Sequence, residues 1–120
     1  MEMNIKRIAF QDWRIETLEI QIRPVVRGDK IRAFVVWTFK TSKGDLKIRG
    51  GTIKLKELPS GEELLSFDAP AYRAGPRYFK SFFLESDEFR RICAETVKFY
   101  CEQTGEVPPN YIFLDGDGQR

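Results

Sequence analysis

The stretch IRAFVVWTFKTSKGDLKIRGGTIKLKEL, Ile31–Leu58, decides the fold. Its first part is apolar on both parities: Ala33, Val35, Trp37 and Phe39 fall on one face of an extended chain, and Phe34, Val36 and Thr38 on the other. A strand with two apolar faces is covered on both sides, which predicts a central place in a sheet. Ser42-Lys43-Gly44 turns the chain. The second part alternates Leu46/Ile48 and Ile53/Leu55 with Lys47/Arg49 and Lys54/Lys56, and Gly50-Gly51 separates the two pieces. Glycines inside a strand pattern predict a bulge, a bend or a close backbone approach. Because side chains change face with period two, a bulge gathers all four cations on one face, whereas a straight strand splits Lys47/Arg49 from Lys54/Lys56.

Working outward, Leu18, Ile20 and Ile22 recur at period two and predict a half-buried strand ended by Pro24, with VRGDK as the following turn. Downstream, PSGEE is a turn signal, and LLSFDAPAYR reads as the returning strand of a hairpin whose regular pairing Pro70 ends. AGPR loops on to the aromatic segment YFKSFFLES, read as a further strand. Ser86 is placed as an N-cap, with Asp87 and Glu88 in the first turn where the helix dipole favours negative charge. Phe89, Ile92, Cys93, Thr96, Val97 and Tyr100 recur at three and four, so DEFRRICAETVKFYCEQT is an amphipathic helix stopped at Gly105. Strands first and one helix last predict an α+β domain: an antiparallel β-sheet of about five strands with a C-terminal amphipathic helix packed on one face. Residues 1–105 make one domain and 106–120 a tail that is loose or docks on a partner as a strand.

Composition narrows the function. With no histidine, the commonest general base, the commonest metal ligand and the Ser-His and Cys-His nucleophile pairs are missing, which argues against hydrolase chemistry. No run approaches the roughly 18 apolar residues of a membrane span, and MEMNIKRIAF lacks the apolar run of a signal peptide, so a cytoplasmic chain with no membrane partner is expected. Cys93 and Cys101 lie two turns apart on one helix, too far to bond to each other, which suits a reducing compartment. The net charge of +2 hides an asymmetry: Arg23–Lys56 carries ten basic residues against Asp29 and Asp45, and the chain after Leu84 carries eight acidic residues against four basic ones. A basic block followed by an acidic one suggests a surface that faces a polyanion.

Three groups of residues could carry a function. Lys47, Arg49, Lys54 and Lys56 would form a stripe able to follow a phosphate backbone, with Phe34, Trp37, Phe39, Tyr72 and Tyr78 near in sequence; the plainer alternative is a solvated face of lysine and arginine over an aromatic core. Arg90 and Arg91, at the helix start beside a loop carrying Arg73, Arg77 and Lys80, would suit phosphate, although Asp87 and Glu88 oppose it. Asp115-Gly-Asp-Gly118 opens like a calcium loop but lacks the later ligands, and Glu62/Glu63 sit in a turn with no partner for acid–base work. No phosphate-binding glycine loop or dinucleotide fingerprint is present, so no catalytic residue, metal, cofactor or small-molecule substrate is expected.

The chain resembles the SpoVG family, small bacterial sporulation and septation regulators that bind nucleic acid. Three segments carry the resemblance: GDKIRAFVVWTF through Arg32, Ala33, Phe34, Val35, Thr38 and Phe39; TIKLKELPSGEELLSFDAPAYR through Ile53, Gly61, Pro70 and Arg73; and SDEFRRICAETVKFY through Ser86, Arg91, Ile92 and Tyr100. Together they run from about Arg27 to Glu102 in the family's order. The hairpin turn is longer than the family's, and the paired basic residues after the proline are reduced to Tyr72-Arg73. The resemblance implies a nucleic-acid-binding regulator that pairs as a homodimer through its sheet. The expected function is therefore DNA or RNA binding of low sequence specificity through Lys47, Arg49, Lys54, Lys56, Arg73, Arg90 and Arg91. A variant uses Trp37 or Tyr78 as stacking platforms for a single strand. The alternative is a protein-interaction or assembly module whose basic face meets an acidic partner.

Overall fold

The computed structural model describes residues 4–25, 30–80 and 86–106. Strands β1 (Ile15–Pro24), β2 (Ile31–Thr41), β3 (Gly44–Glu57) and β4 (Glu63–Asp68) form one antiparallel sheet in that order, and α1 (Asp87–Thr104) lies across one face of it. The expected α+β class holds, and the strand with two apolar faces is indeed internal. The sheet has four strands rather than five. Pro70, which cannot donate to a ladder, breaks the returning strand, and β5 (Ala71–Ala74) pairs only with β6 (Arg77–Lys80) as a separate two-stranded hairpin. Part of YFKSFFLES is thus β6 and its last residue, Ser86, precedes the helix; residues 81–85, the VRGDK turn except Lys30, and the tail beyond residue 106 lie outside the described residues.

Helix α1 starts and stops where its local chemistry says it should. The Ser86 hydroxyl accepts from the Phe89 amide at 3.1 Å, Asp87 and Glu88 occupy the first turn, and Gly105 closes the helix at φ 76°, donating to the Cys101 carbonyl. Ile92, Cys93, Thr96, Val97, Tyr100 and Cys101 are buried against Ala33, Val35, Trp37 and Phe39 of β2, Ile53 of β3, and Leu65 and Phe67 of β4. Neither cysteine forms a disulfide; both are buried, and burial pushes the Cys101 thiol upward. No helix among the described residues is long and apolar enough to cross a membrane.

The centre of this core is Trp37. Its ring stacks on Phe67 with centroids 4.5 Å apart, and its indole N–H donates to Thr96 Oγ1 at 3.0 Å, so one side chain links β2, β4 and α1. The Phe67 ring lies over Gly51, where a Cβ would stand 2.6 Å from a ring carbon. Gly51 is therefore a close-approach residue. At Gly50 the requirement is conformational, since its φ of 91° is one that other residues adopt only with strain. Replacing Gly51 by alanine should displace Phe67 from Trp37 and cost about 1–3 kcal/mol, the usual range for overpacking. Gly61→Ala, at φ 90° with open space around it, should cost only its backbone strain; urea unfolding of the two variants separates steric from conformational cost.

A second link closes the far end of the helix. Glu106 accepts from the Tyr100 hydroxyl at 2.6 Å and from Arg32 Nε of β2 at 3.0 Å. Burial, aided by the Glu106 carboxylate, pushes the Tyr100 hydroxyl from 10.0 up to about 12. A proton held more tightly when folded stabilises fully below the ordinary value and is lost as pH rises through the folded one. Wild-type stability should therefore show an extra decline between about pH 10 and 12, which Tyr100→Phe removes when unfolding free energy is followed across that range.

Candidate functional site

The cationic residues of β3 reach one face because the strand carries an extra residue. Trp37 pairs with Ile48 and Val35 with Gly51, so β3 spends three steps where β2 spends two. Arg49 and Gly50 both lie opposite Val36, and the register on either side of them differs by one. The bulge returns Lys54 and Lys56 to the face of Lys47 and Arg49, away from α1, and sets Leu46, Ile48, Ile53 and Leu55 on the helix side. From Lys47 to Lys56 the stripe runs about 30 Å at the usual rise per residue. It shares this outer face with Thr17, Glu19, Gln21 and Arg23 of β1 and with Phe34, Val36, Thr38 and Lys40 of β2.

The four cations are not equivalent. Asp68 of β4 stands between Lys54 and Lys56, at 3.4 Å and 2.9 Å, and is itself partly buried. Lys40 is bridged to Asp45 at 2.9 Å, and that hydrogen bond holds its ammonium above the usual range. The side chains of Lys47 and Arg49 are exposed and make no ion pair or hydrogen bond among the described residues. Any polyanion would meet these two unopposed, whereas at Lys54 and Lys56 it competes with a carboxylate already in place. At the β4 edge Leu64 and Ser66 are buried, so the accessible part of the face runs over β1 to β3.

The aromatic residues divide in a way that alternation alone does not reveal. Trp37 is 1% exposed and cannot act as a stacking platform; its face is the one that α1 covers. Tyr78 is 70% exposed and lines a shallow pocket with Lys54, Lys56 and Asp68. Phe34 is 41% exposed on the outer face, with the Arg23 guanidinium 5.3 Å from its ring centroid. Arg73 lies 5.9 Å from the Tyr78 ring and donates to the Gly75 carbonyl, so it belongs with this group through β5 and β6.

Arg90 and Arg91 do not. Both are exposed on the first turns of α1, on the side of the sheet opposite the stripe. Arg91 is gripped by both oxygens of Glu88, at 2.6 and 2.9 Å, and this pairing lowers the Glu88 carboxyl and raises the guanidinium. The sequence-predicted set therefore falls into an outer group, Lys47, Arg49, Lys54, Lys56 and Arg73, and a helix-side pair. The residue that sequence reasoning missed is Asp68. Its signal was the hairpin register: pairing Lys54 with Ser66 and Thr52 with Asp68 follows once the turn is centred on Ser60.

No family model, no curated protein and no solved structure matches the chain.

Proposed function

We propose that this chain is a non-enzymatic nucleic-acid-binding regulator of the SpoVG type, cytoplasmic and homodimeric, that holds DNA or RNA on the outer face of its sheet with low sequence specificity. The observation that carries this reading is the bulge at Arg49-Gly50, which gathers Lys47, Arg49, Lys54 and Lys56 on one face beside exposed Phe34 and Tyr78. Cations spaced along a strand suit successive phosphates, and open aromatic faces suit unstacked bases, a combination that favours single strands. Arg73, beside Tyr78, extends the surface. Arg90 and Arg91 would touch only a strand that wrapped around the sheet edge.

The test is fluorescence anisotropy with labelled single-stranded and duplex DNA and RNA over a salt series. Binding is expected at about 50 mM salt and should weaken steeply as salt rises, with single strands preferred. Lys47→Glu with Arg49→Glu should flatten the slope by about 1.4 for single strands, at about 0.7 per phosphate contact, and leave the melting temperature unchanged. A slope near zero for the wild type, or no binding at low salt, would sink the proposal.

The alternative, an interaction module for an acidic protein partner, gains from Asp68, which already neutralises part of the stripe. Asp68→Asn separates the two readings further. If the face binds phosphate, removing the carboxylate beside Lys54 and Lys56 should tighten nucleic-acid binding several-fold and steepen its salt dependence. An unchanged affinity would confine any contact to Lys47 and Arg49.

A further inference from the structure

The segment Asn4–Trp13, which precedes β1, carries Ile5, Ile8 and Phe10 at 70%, 69% and 69% exposure and Trp13 at 42%. Phe10 and Trp13 touch each other, with centroids 5.1 Å apart, yet Ile5, Ile8 and Phe10 keep more than two thirds of their surface exposed. Its root is fixed. The Arg14 amide donates to Ser42 Oγ at 3.0 Å, the Ser42 amide donates to the Arg14 carbonyl at 2.9 Å, and the Ser42 hydroxyl donates to the Asp12 carbonyl. The arm thus leaves from the β2–β3 turn in a set direction, with Asp12 at φ 58°.

On the helix side of the sheet, between β1 and the first half of α1, runs a groove of about 640 Å³. Its floor is apolar, formed by Leu18, Ile20, Phe39 and Ile92. The bulge at Glu16 keeps Ile15, also exposed, on this same face at the groove's mouth. The rim is acidic: Glu16, Glu88 and Glu95 line it, and its one lining cation, Arg91, is held by Glu88. The arm has the complementary pattern, with Lys6 and Arg7 set between Ile5 and Ile8.

We infer that the arm of one copy seats in the groove of a second copy, Ile5, Ile8 and Phe10 on the apolar floor and Lys6 and Arg7 on Glu16 and Glu95, with the reciprocal contact made in turn. Such a pair is isologous and closed, because each chain supplies one arm and one groove. It buries an exposed apolar arm and an open apolar cleft together, two surfaces that a lone chain leaves in water. The inference rests on the homodimer proposed above and names its interface, on the helix side rather than through the sheet. It does not rest on nucleic-acid binding, which anisotropy reads separately.

Charge reversal tests it on full-length protein by light scattering and sedimentation. One variant carries Lys6→Glu and Arg7→Glu, the other Glu16→Lys and Glu95→Lys; all four positions are exposed, so folding should be spared. Wild type should run as a dimer, and each variant alone should dissociate with a constant at least tenfold weaker. Mixing the two should restore the dimer, because each arm then meets a groove of opposite sign, and the chain carrying all four changes should pair with itself. Variants that remain dimeric overturn the arm exchange and leave the homodimer standing; a monomeric wild type overturns both. Failure of the mixture to pair, with the four-change chain behaving like wild type, means that each arm seats in its own groove and likewise overturns the exchange.

Discussion

The indole of Trp37 is the constraint on which the rest of this structure depends. A buried N–H without an acceptor costs about 1–3 kcal/mol, so the ring is tolerated at the centre of the core only because Thr96 stands one bond away. The Thr96 hydroxyl in turn donates to the Ile92 carbonyl at 2.8 Å, which keeps its lone pairs turned to the indole. This short chain of bonds sets the rotation of α1 over the sheet. It also fixes which face of β2 is the inner one. Phe67 stacks on the face of the indole, and it has room to do so only where β3 has no side chain, at Gly51. The bulge next to it follows: Gly51 and Ile53 must face inward with Ile48, and period two allows that only if one residue between them is extra. The gathering of cations on the outer face is thus a consequence of how a tryptophan is housed on the inner one.

That outer face is less basic in effect than in composition. Ten cations in the block Arg23–Lys56 suggest a uniform field, but two of the four on the stripe share Asp68, and Lys40 is held by Asp45. Exposed ion pairs are worth roughly 0–1 kcal/mol each, so such pairing does little for stability. It does more to the potential that an incoming anion meets, since each paired lysine offers only part of its charge. Lys47 and Arg49, two residues apart at the bulge, carry the unopposed potential, and Phe34 and Tyr78 flank the stripe at different places. A polyanion on such a surface would be gripped at one point and followed weakly on either side.

How much of this could be seen in the sequence depends on the range of each determinant. The helix was legible from Asp87 to Thr104 because its signals, Ser86, the acidic first turn, the apolar spacing and Gly105, act within a few residues of one another. The internal place of β2 was legible from its two apolar faces. Which of those faces lies beneath α1 was not, because both parities hold an aromatic residue, and so Trp37 could be offered as a stacking platform. Gly50 and Gly51 could be marked but not resolved, since a residue without a side chain does not declare its face; only the partner register does that. The Lys54–Asp68–Lys56 cluster needs the hairpin register, and although Pro70 marked the end of one ladder, the number of strands in the sheet needed the knowledge that the next hairpin stands alone. The groove beside β1 was invisible because it is made by β1 and Phe39 of β2 together with α1, which lies more than forty positions further along the chain.

The two unpartnered surfaces lie on opposite sides of one sheet, and this bears on how they would work together. Pairing through the arm and the helix-side groove would leave both outer faces uncovered, whereas pairing through the sheet face would hide the cations that make it interesting. Two weak, salt-sensitive faces held in one particle would bind a long strand with the second contact at high effective concentration, so avidity could exceed the affinity of either face by orders of magnitude. A face with two unopposed cations would gain most from that arrangement, because its single-site affinity is set by so few charges. On this view the uncovered arm and the half-neutralised stripe belong together. A chain that binds phosphate weakly on one side has reason to bind itself on the other, and the dependence of affinity on protein concentration would carry the signature of both.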